Sequence, residues 1–485
     1  MKRKLFLQKS LSVFGLVLIN GVVSSCKNSS KEQANKLYTV KQFVDEGLAQ
    51  FSYALEAEGK IVLIDPTRNP SNYYAYATTQ NSKIIAVVET HTHADFVSAH
   101  RQVHEEQHVP IYISKYAKAT YPHEVFDDND TLKLTDHVSL RAINTPGHSQ
   151  DSISVLLEVD GKVEVIFTGD GLLLGGVGRP DLRESDGEFS VQREQLAKQL
   201  YQTIRTKYNE LEDNIVVYPG HGAGSLCGQS LSDAKESTIG YEKANNPAFQ
   251  YKSEREFVDF LLKDPLTIPA YFPFAIEVNR RGADNLENSI TKIPAITAIP
   301  DQSNADIVVD TRSSDDFRKA HIKGALNIPI RNKWETWLGT IVHPEEKFYL
   351  IVENEKSVET TLETISKIGY ETLVKGVIVH NPVNAVKSLD FNQDDFDHNR
   401  STYQILDVRT KEEAQAKPIF NETDVIPLQK LREQISSLDA DKPIVIHCAS
   451  GYRSAIATSL IQRYLPKATV IDMGNKIKKY TPTEK

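Results

Sequence analysis

The sequence predicts an α/β protein of about three domains, and three observations carry that prediction. Short apolar runs ending in Gly, Pro or polar turns recur along the chain and alternate with helix-like stretches, the pattern of α/β architecture. A length of 485 residues suits about three domains of ordinary size. Hydrophobic residues at 40% and charged residues at 25% give the balance of a soluble globular protein.

The N-terminus is a separate element. Lys2, Arg3, Lys4 and Lys9 precede a mostly apolar stretch from Leu11 to Val23. That stretch is short of the about 20 residues a membrane-spanning helix needs, so residues 1–25 read as a secretory signal. Val23-Ser24-Ser25-Cys26 resembles the lipobox of bacterial lipoproteins, which implies cleavage before a lipidated Cys26 and attachment to a membrane in the bacterial periplasm. Arg3 to Lys9 also resembles a twin-arginine signal with Lys4 in place of the second arginine, implying export of a folded, metal-loaded chain. Losing residues 1–25 takes the formal charge from −9 to −13. Such a surface excludes nucleic acid and anionic membrane as partners, leaving lipid as the only membrane anchor.

The next element is the apolar run Lys83 to Glu89, a buried strand followed by Thr90-His91-Thr92-His93-Ala94-Asp95-Phe96. Two imidazoles and a carboxylate so close together are ligand chemistry. Three later strand-to-turn transitions deliver more: His148 in Asn144-Thr145-Pro146-Gly147-His148-Ser149, Asp170 at the end of the run from Val163, and His221 after Ile215 to Gly220. Any one of them reads as an ordinary turn polar; together they predict a metal site.

The pattern resembles the metallo-β-lactamase fold, with H-x-H-x-D at residues 91–95 and then His148, Asp170 and His221. The resemblance spans about residues 36–275 and implies an αββα sandwich there. Two-zinc hydrolases of that fold carry a further His where this chain has Phe96, whose ring offers no lone pair, so a full second site is not expected. His91, His148 and Asp170 remain around one ion. Two imidazoles and one carboxylate with open positions suit non-haem Fe(II), the arrangement of the persulfide dioxygenase branch. One Fe(II) per chain is therefore expected, with Zn the alternative because imidazole suits it as well. His93, Asp95 and His221 would orient ligands or water from behind. Gly175 to Leu182 resembles the G-R-x-D loop of those dioxygenases, which implies that Arg179 holds the substrate's carboxylate.

Cys227 follows six residues after His221 in a glycine-rich loop expected to overhang the metal. This loop, with Ser237 to Glu242 after it, resembles dioxygenase–rhodanese fusions and implies that Cys227 takes up or relays sulfane sulfur. A Cys227–Cys448 disulfide is the rival reading in an oxidising compartment. Against it, each cysteine sits in its own loop beside a proposed site.

A middle unit, residues 283–386, contains Asp306 to Ser313 and then His321 to Pro329, both of rhodanese type. Aligning Lys347 to Val352 with the strand before Cys448 puts Glu353 at the cysteine position, so this copy is degenerate and is expected to pack or orient. The acidic stretch Asp390 to Asn399 reads as the linker to a last unit, residues 398–485.

In that unit the apolar strand Pro443 to His447 ends in Cys448, and Ala449-Ser450-Gly451-Tyr452-Arg453-Ser454 opens a helix-like run. Unpaired N–H groups, the helix dipole and Arg453 all favour a thiolate, with Gly451 and Ser454 completing an anion cradle. A cysteine phosphatase or a rhodanese could own such a loop. Ile405 to Thr410 resembles the rhodanese D-x-R strand end, and no convincing general-acid Asp lies near the loop, so Cys448 is expected to carry sulfur as a persulfide.

Taken together, the resemblance to persulfide dioxygenase–sulfurtransferase fusions implies oxidation of glutathione persulfide or a similar small persulfide by O₂ to sulfite, coupled to sulfur transfer that gives or uses thiosulfate. The alternative is a zinc-dependent, glyoxalase II-like thioesterase with an attached sulfurtransferase. A homo-oligomer is compatible with the sequence.

Overall fold

A computed structural model describes residues 37–180, 193–228, 231–263, 267–299, 306–331, 333–379 and 385–481. The expected signal peptide, Cys26 and Asp181 of the G-R-x-D loop lie outside these residues. Among the described residues no helix is long and apolar enough to cross a membrane.

Two six-stranded sheets form the first half. One adds its strands in chain order from Thr39–Asp45 to Glu124–Val125. The other runs in space from Ser237–Thr238 through Val216–Pro219, Lys162–Gly169, Ile153–Val159 and Val138–Asn144 to Thr131–Lys133. Strand side chains alternate between two faces, and here both faces are apolar. Leu55, Val62, Val88, Leu157 and Phe167 meet between the sheets. Their neighbours Ala54, Ile61 and Val87 turn outward onto helix residues Tyr73 and Val103, while Leu156 and Ile166 turn onto Leu200 and Ile204. Apolar residues on both faces of each sheet demand a helix layer outside, which gives the expected αββα sandwich.

Two four-stranded parallel sheets follow. The first has the spatial order Leu326–Asn327, Ile307–Asp310, Phe348–Val352, Val374–Val379, and the second Asp424–Val425, Gln404–Asp407, Ile444–His447, Val470–Asp472. The shared order confirms the repeat seen in the sequence. Each copy keeps its D-x-R ion pair: Arg312 Nη2 lies 2.6 Å from Asp310 Oδ2, and Arg409 Nη2 lies 2.6 Å from Asp407 Oδ2. The ladder corrects one detail of the alignment. Asp407 pairs with His447 and Asp310 with Ile351, so Val352 rather than Glu353 stands at the place of Cys448. Val352 is buried as Cys448 is, whereas Glu353 is exposed. The middle copy thus carries an apolar plug in place of the sulfur carrier.

The two halves share a core. Phe272, Ala275 and Ile276 of the helix Phe272–Arg281, with Ala94, Val97 and Cys227, belong to the same apolar cluster as Trp334, Leu350 and Leu406. The expected boundary at residue 275 therefore falls inside a helix that packs on both sides of it.

Candidate metal centre and sulfur loop

Four strand ends converge at one end of the sandwich. The ligand atoms of His91, His148 and Asp170, all buried, lie within 4.8 Å of one another. Asp170 Oδ2 is 4.0 Å from His91 Nε2 and 3.6 Å from His148 Nε2, and no hydrogen bond reaches it. A buried carboxylate oxygen without a donor is costly unless something positive belongs there.

The backs of the rings fix their orientation. Thr90 Oγ1 donates to Asp65 Oδ2 at 2.7 Å, so it accepts from His91 Nδ1 at 3.0 Å. His148 Nδ1 donates to the Arg179 carbonyl at 2.8 Å. Both rings therefore carry their proton on Nδ1 and turn an Nε2 lone pair toward Asp170. Burial, then the neighbouring His93, hold His91 well below the usual imidazole range, so it stays neutral. Gly178 is needed for close approach, because a Cβ there would meet the Asp170 carbonyl at 2.2 Å and His148 Nδ1 at 2.7 Å. These donors fit a divalent ion with open positions.

His93 falls in a separate buried group with Asp65 and Glu89. Its Nε2 sits 3.1 Å from Asp65 Oδ1 and 3.3 Å from Glu89 Oε2. Burial opposes a charge there, but the two carboxylates outweigh it and push the imidazole up to about 10. Glu89 responds in kind: burial works against its ionisation, yet His100 and His93 bring it down to about 2. Phe96, 1% exposed, packs on the His93 ring with centroids 4.2 Å apart.

His221 lies between two acids, its Nδ1 2.7 Å from Asp170 Oδ1 and its Nε2 2.8 Å from Asp95 Oδ2. Both ring nitrogens donate, and the two carboxylates overcome the burial cost to raise it well above the usual imidazole range. Cys227 joins Asp95 and His221 in a second buried group whose ligand atoms lie within 4.8 Å of one another. Burial first, then Asp95 and Asp170, push its thiol well above the usual range, so it rests as S–H. Cys227 and Cys448 are both free.

Arg179 is buried; its carbonyl accepts from His148 Nδ1 at 2.8 Å, and its N–H donates to the Cys227 carbonyl at 2.8 Å. Several partners escaped the sequence reading. Tyr271 Oη donates to the Asp95 carbonyl at 2.9 Å. Asn279 Nδ2 donates to the carbonyls of His93 and Phe96 at 2.9 and 2.7 Å, while its Oδ1 accepts from Ser98 N–H at 2.8 Å. Asp151 Oδ2 accepts from both N–H and hydroxyl of Thr92. No local motif marks these residues; only the fold brings them to the loop.

In the last domain Cys448 lies at the mouth of the helix Tyr452–Tyr464. Gly451 N–H donates to its Sγ at 3.1 Å, and the Ser454 hydroxyl stands 3.8 Å away. Gly451 has φ +91°, and a Cβ there would meet Gly474 C at 2.8 Å, so only glycine fits. Arg453, expected to favour the thiolate by its charge, is itself paired: its Nη1 and Nη2 fork onto Glu413 at 2.6 and 2.8 Å. Glu413 also closes the capping box that starts the helix Lys411–Ala416.

Comparison with known proteins agrees with this arrangement. The profile of the metallo-beta-lactamase superfamily matches residues 45–221, and that of the rhodanese-like domain matches residues 296–377 and 392–478. The solved structure of a metallo-beta-lactamase from Staphylococcus aureus subsp. aureus COL is 31% identical, with a match covering 71% of this chain and 100% of that one at a TM-score of 0.64. The mitochondrial persulfide dioxygenase ETHE1 of Bos taurus is 25% identical over 246 residues, 50% of this chain and 87% of its own. The hydroxyacylglutathione hydrolase GloC of Haemophilus influenzae is 26% identical over 216 residues, 40% of this chain and 90% of its own.

Proposed function

This chain belongs to the metallo-β-lactamase superfamily and carries rhodanese-like domains behind its metal domain, and from that premise we propose that it is a persulfide dioxygenase joined to a sulfurtransferase. The observation that carries the reading is the reduced donor set. His91, His148 and Asp170 converge on one point, while His93 turns to Asp65 and Glu89, and Phe96 takes the place of a further ligand. That set matches a single ferrous ion with open positions.

Bound there, Fe(II) supplies the redox chemistry that joins O₂ to a sulfane sulfur. The chain's own residues do the rest. Thr90 and the Arg179 carbonyl keep the two imidazoles aimed, and His221 keeps Asp170 ionised, since burial resists its charge and His221 outweighs that. The Cys227 thiol beside Asp95 lies where a substrate sulfur would pass, and it exchanges sulfur only after losing its proton. The net reaction is R–S–SH + O₂ + H₂O giving R–SH, sulfite and two protons. In the last domain the Cys448 thiolate takes sulfane sulfur from a second R–S–SH and releases R–SH. Sulfite then removes that sulfur as thiosulfate and returns the thiolate. Gly451 N–H stabilises the anionic sulfur through both steps.

The likeness to a hydroxyacylglutathione hydrolase favours one rival, a zinc thioesterase at the same centre. Metal-free protein reloaded with Fe(II) or with Zn(II) separates them. The proposal expects oxygen uptake with glutathione persulfide in the iron form and no acylglutathione hydrolysis in either; hydrolysis by the zinc form without oxygen uptake by the iron form would refute it. Export as a Cys26-anchored lipoprotein belongs to the same proposal, and labelled palmitate should enter the wild-type chain but not Cys26→Ala.

A further inference from the structure

A cavity of about 210 Å³ lies against the loop that carries Asp95, and the middle domain forms one of its sides. Asp95 lies in its wall, next to the His221 and Cys227 group. Leu226 and Tyr271 from the metal domain face Thr336, Trp337 and Lys333 from the middle domain. Four of these side chains are apolar or aromatic in whole or part, and one is a cation. Arg179, expected from the sequence to be the cation that meets substrate, does not line this cavity.

Lys333 is held there by construction. It sits at the N-terminal boundary of the helix Trp334–Ile341 with φ +63°, and its Nζ donates to the Gly224 carbonyl at 2.8 Å, three residues before Cys227. An ammonium has three donors, so two remain for a ligand. Glu335 on the same helix does not cancel the charge, because Lys367 binds it at 3.2 Å. The same stretch leans on the other reactive loop. Tyr452 Oη donates to the Pro329 carbonyl at 3.0 Å, and the Arg331 guanidinium lies 5.5 Å from the Tyr452 ring centroid.

We propose that the middle domain, having lost its sulfur carrier, builds the outer wall of the metal domain's substrate cavity, and that Lys333 selects small thiol carriers bearing a carboxylate. A carrier whose sulfur points toward Asp95 and Cys227 places its polar tail on the Lys333 side, with its apolar portion against Trp337 and Tyr271. This rests on the reading that the centre acts on sulfur borne by a small thiol.

The test uses binding of a non-reactive carrier to the full-length iron-loaded protein, followed by titration calorimetry. S-methylglutathione should bind about tenfold more tightly than its diethyl ester, which lacks the carboxylate charges. Lys333→Met should abolish that preference and Lys333→Arg restore it, with metal content unchanged in both. Thr336→Glu, which places an acid on the same wall and spares Lys333, should weaken S-methylglutathione and leave the diester alone. With glutathione persulfide, Lys333→Met should raise KM about tenfold at unchanged kcat. Equal binding of the two probes by the wild type, binding of neither, or a preference that survives Lys333→Met overturns the proposal. A normal preference without oxygen uptake refutes the dioxygenase reading alone, and normal uptake without preference refutes this one alone.

Discussion

His221 donates from Nδ1 to Asp170 Oδ1 at 2.7 Å and thereby decides that Oδ2 is the oxygen turned toward His91 and His148. Removing the ring leaves Asp170 free to rotate and sets it beside Asp95 with no cation between them. His221→Ala should therefore lower iron affinity by about 10- to 100-fold, the usual cost of losing a ligand's outer partner. Competition with a chelator measures it. Unchanged affinity would show that Asp170 is oriented by something other than His221.

Asn279 clasps the loop that carries His91, His93 and Asp95 through three hydrogen bonds while itself 3% exposed. Asn279→Ala strands two carbonyls and one N–H in the interior. It should cost about 3 kcal/mol of stability. Urea unfolding of the metal-free protein reads this without interference from metal linkage; a loss below about 1 kcal/mol would mean the loop holds its own shape.

Much of the site was legible in the sequence because strand ends and turn residues leave local marks: His91, His148, Asp170 and His221 each follow an apolar run, and the structure brings all four together. Asn279, Tyr271, Asp65 and Asp151 were not legible. Each bonds a partner far away in the chain, Asp151 reaching Thr92 across 59 residues although it stands three residues after His148, and a lone buried polar in a helix or loop has no signature of its own. Val352 was missed for a different reason. Strand alignment by apolar pattern tolerates a slip of one residue, whereas the ladder fixes register by hydrogen bonds. Arg453 was legible as a cation near Cys448 but not as the partner of Glu413, forty residues away.

The two chemistries should separate cleanly by mutation. His148→Ala should abolish oxygen uptake and leave sulfur transfer from thiosulfate to cyanide intact. Cys448→Ser should do the reverse. Each loss should be at least about a hundredfold, since each variant removes a group the reaction cannot replace. Loss of both activities in either single variant would mean that one centre depends on the other.

The Glu413–Arg453 pair sets a pH dependence. Hydrogen bonds from Arg453 hold the Glu413 carboxyl below its ordinary value of 4.5, against its partial burial. A carboxyl with a depressed value in the folded state stabilises fully above its unfolded value and loses that contribution as pH falls through the folded one. Stability of the last domain should therefore decline on acidification below about pH 4.5, and less steeply in Glu413→Gln. Urea midpoints between about pH 6 and about pH 3 report the slope. Equal slopes in the two proteins would assign the acid sensitivity elsewhere.

The most direct measurement is the stoichiometry of oxygen consumption by iron-loaded Cys448→Ser, in which sulfite cannot be drawn off as thiosulfate by the second centre. One O₂ consumed and one sulfite formed per glutathione persulfide is the predicted result. Dissolved oxygen left untouched by protein with a full complement of iron would contradict it.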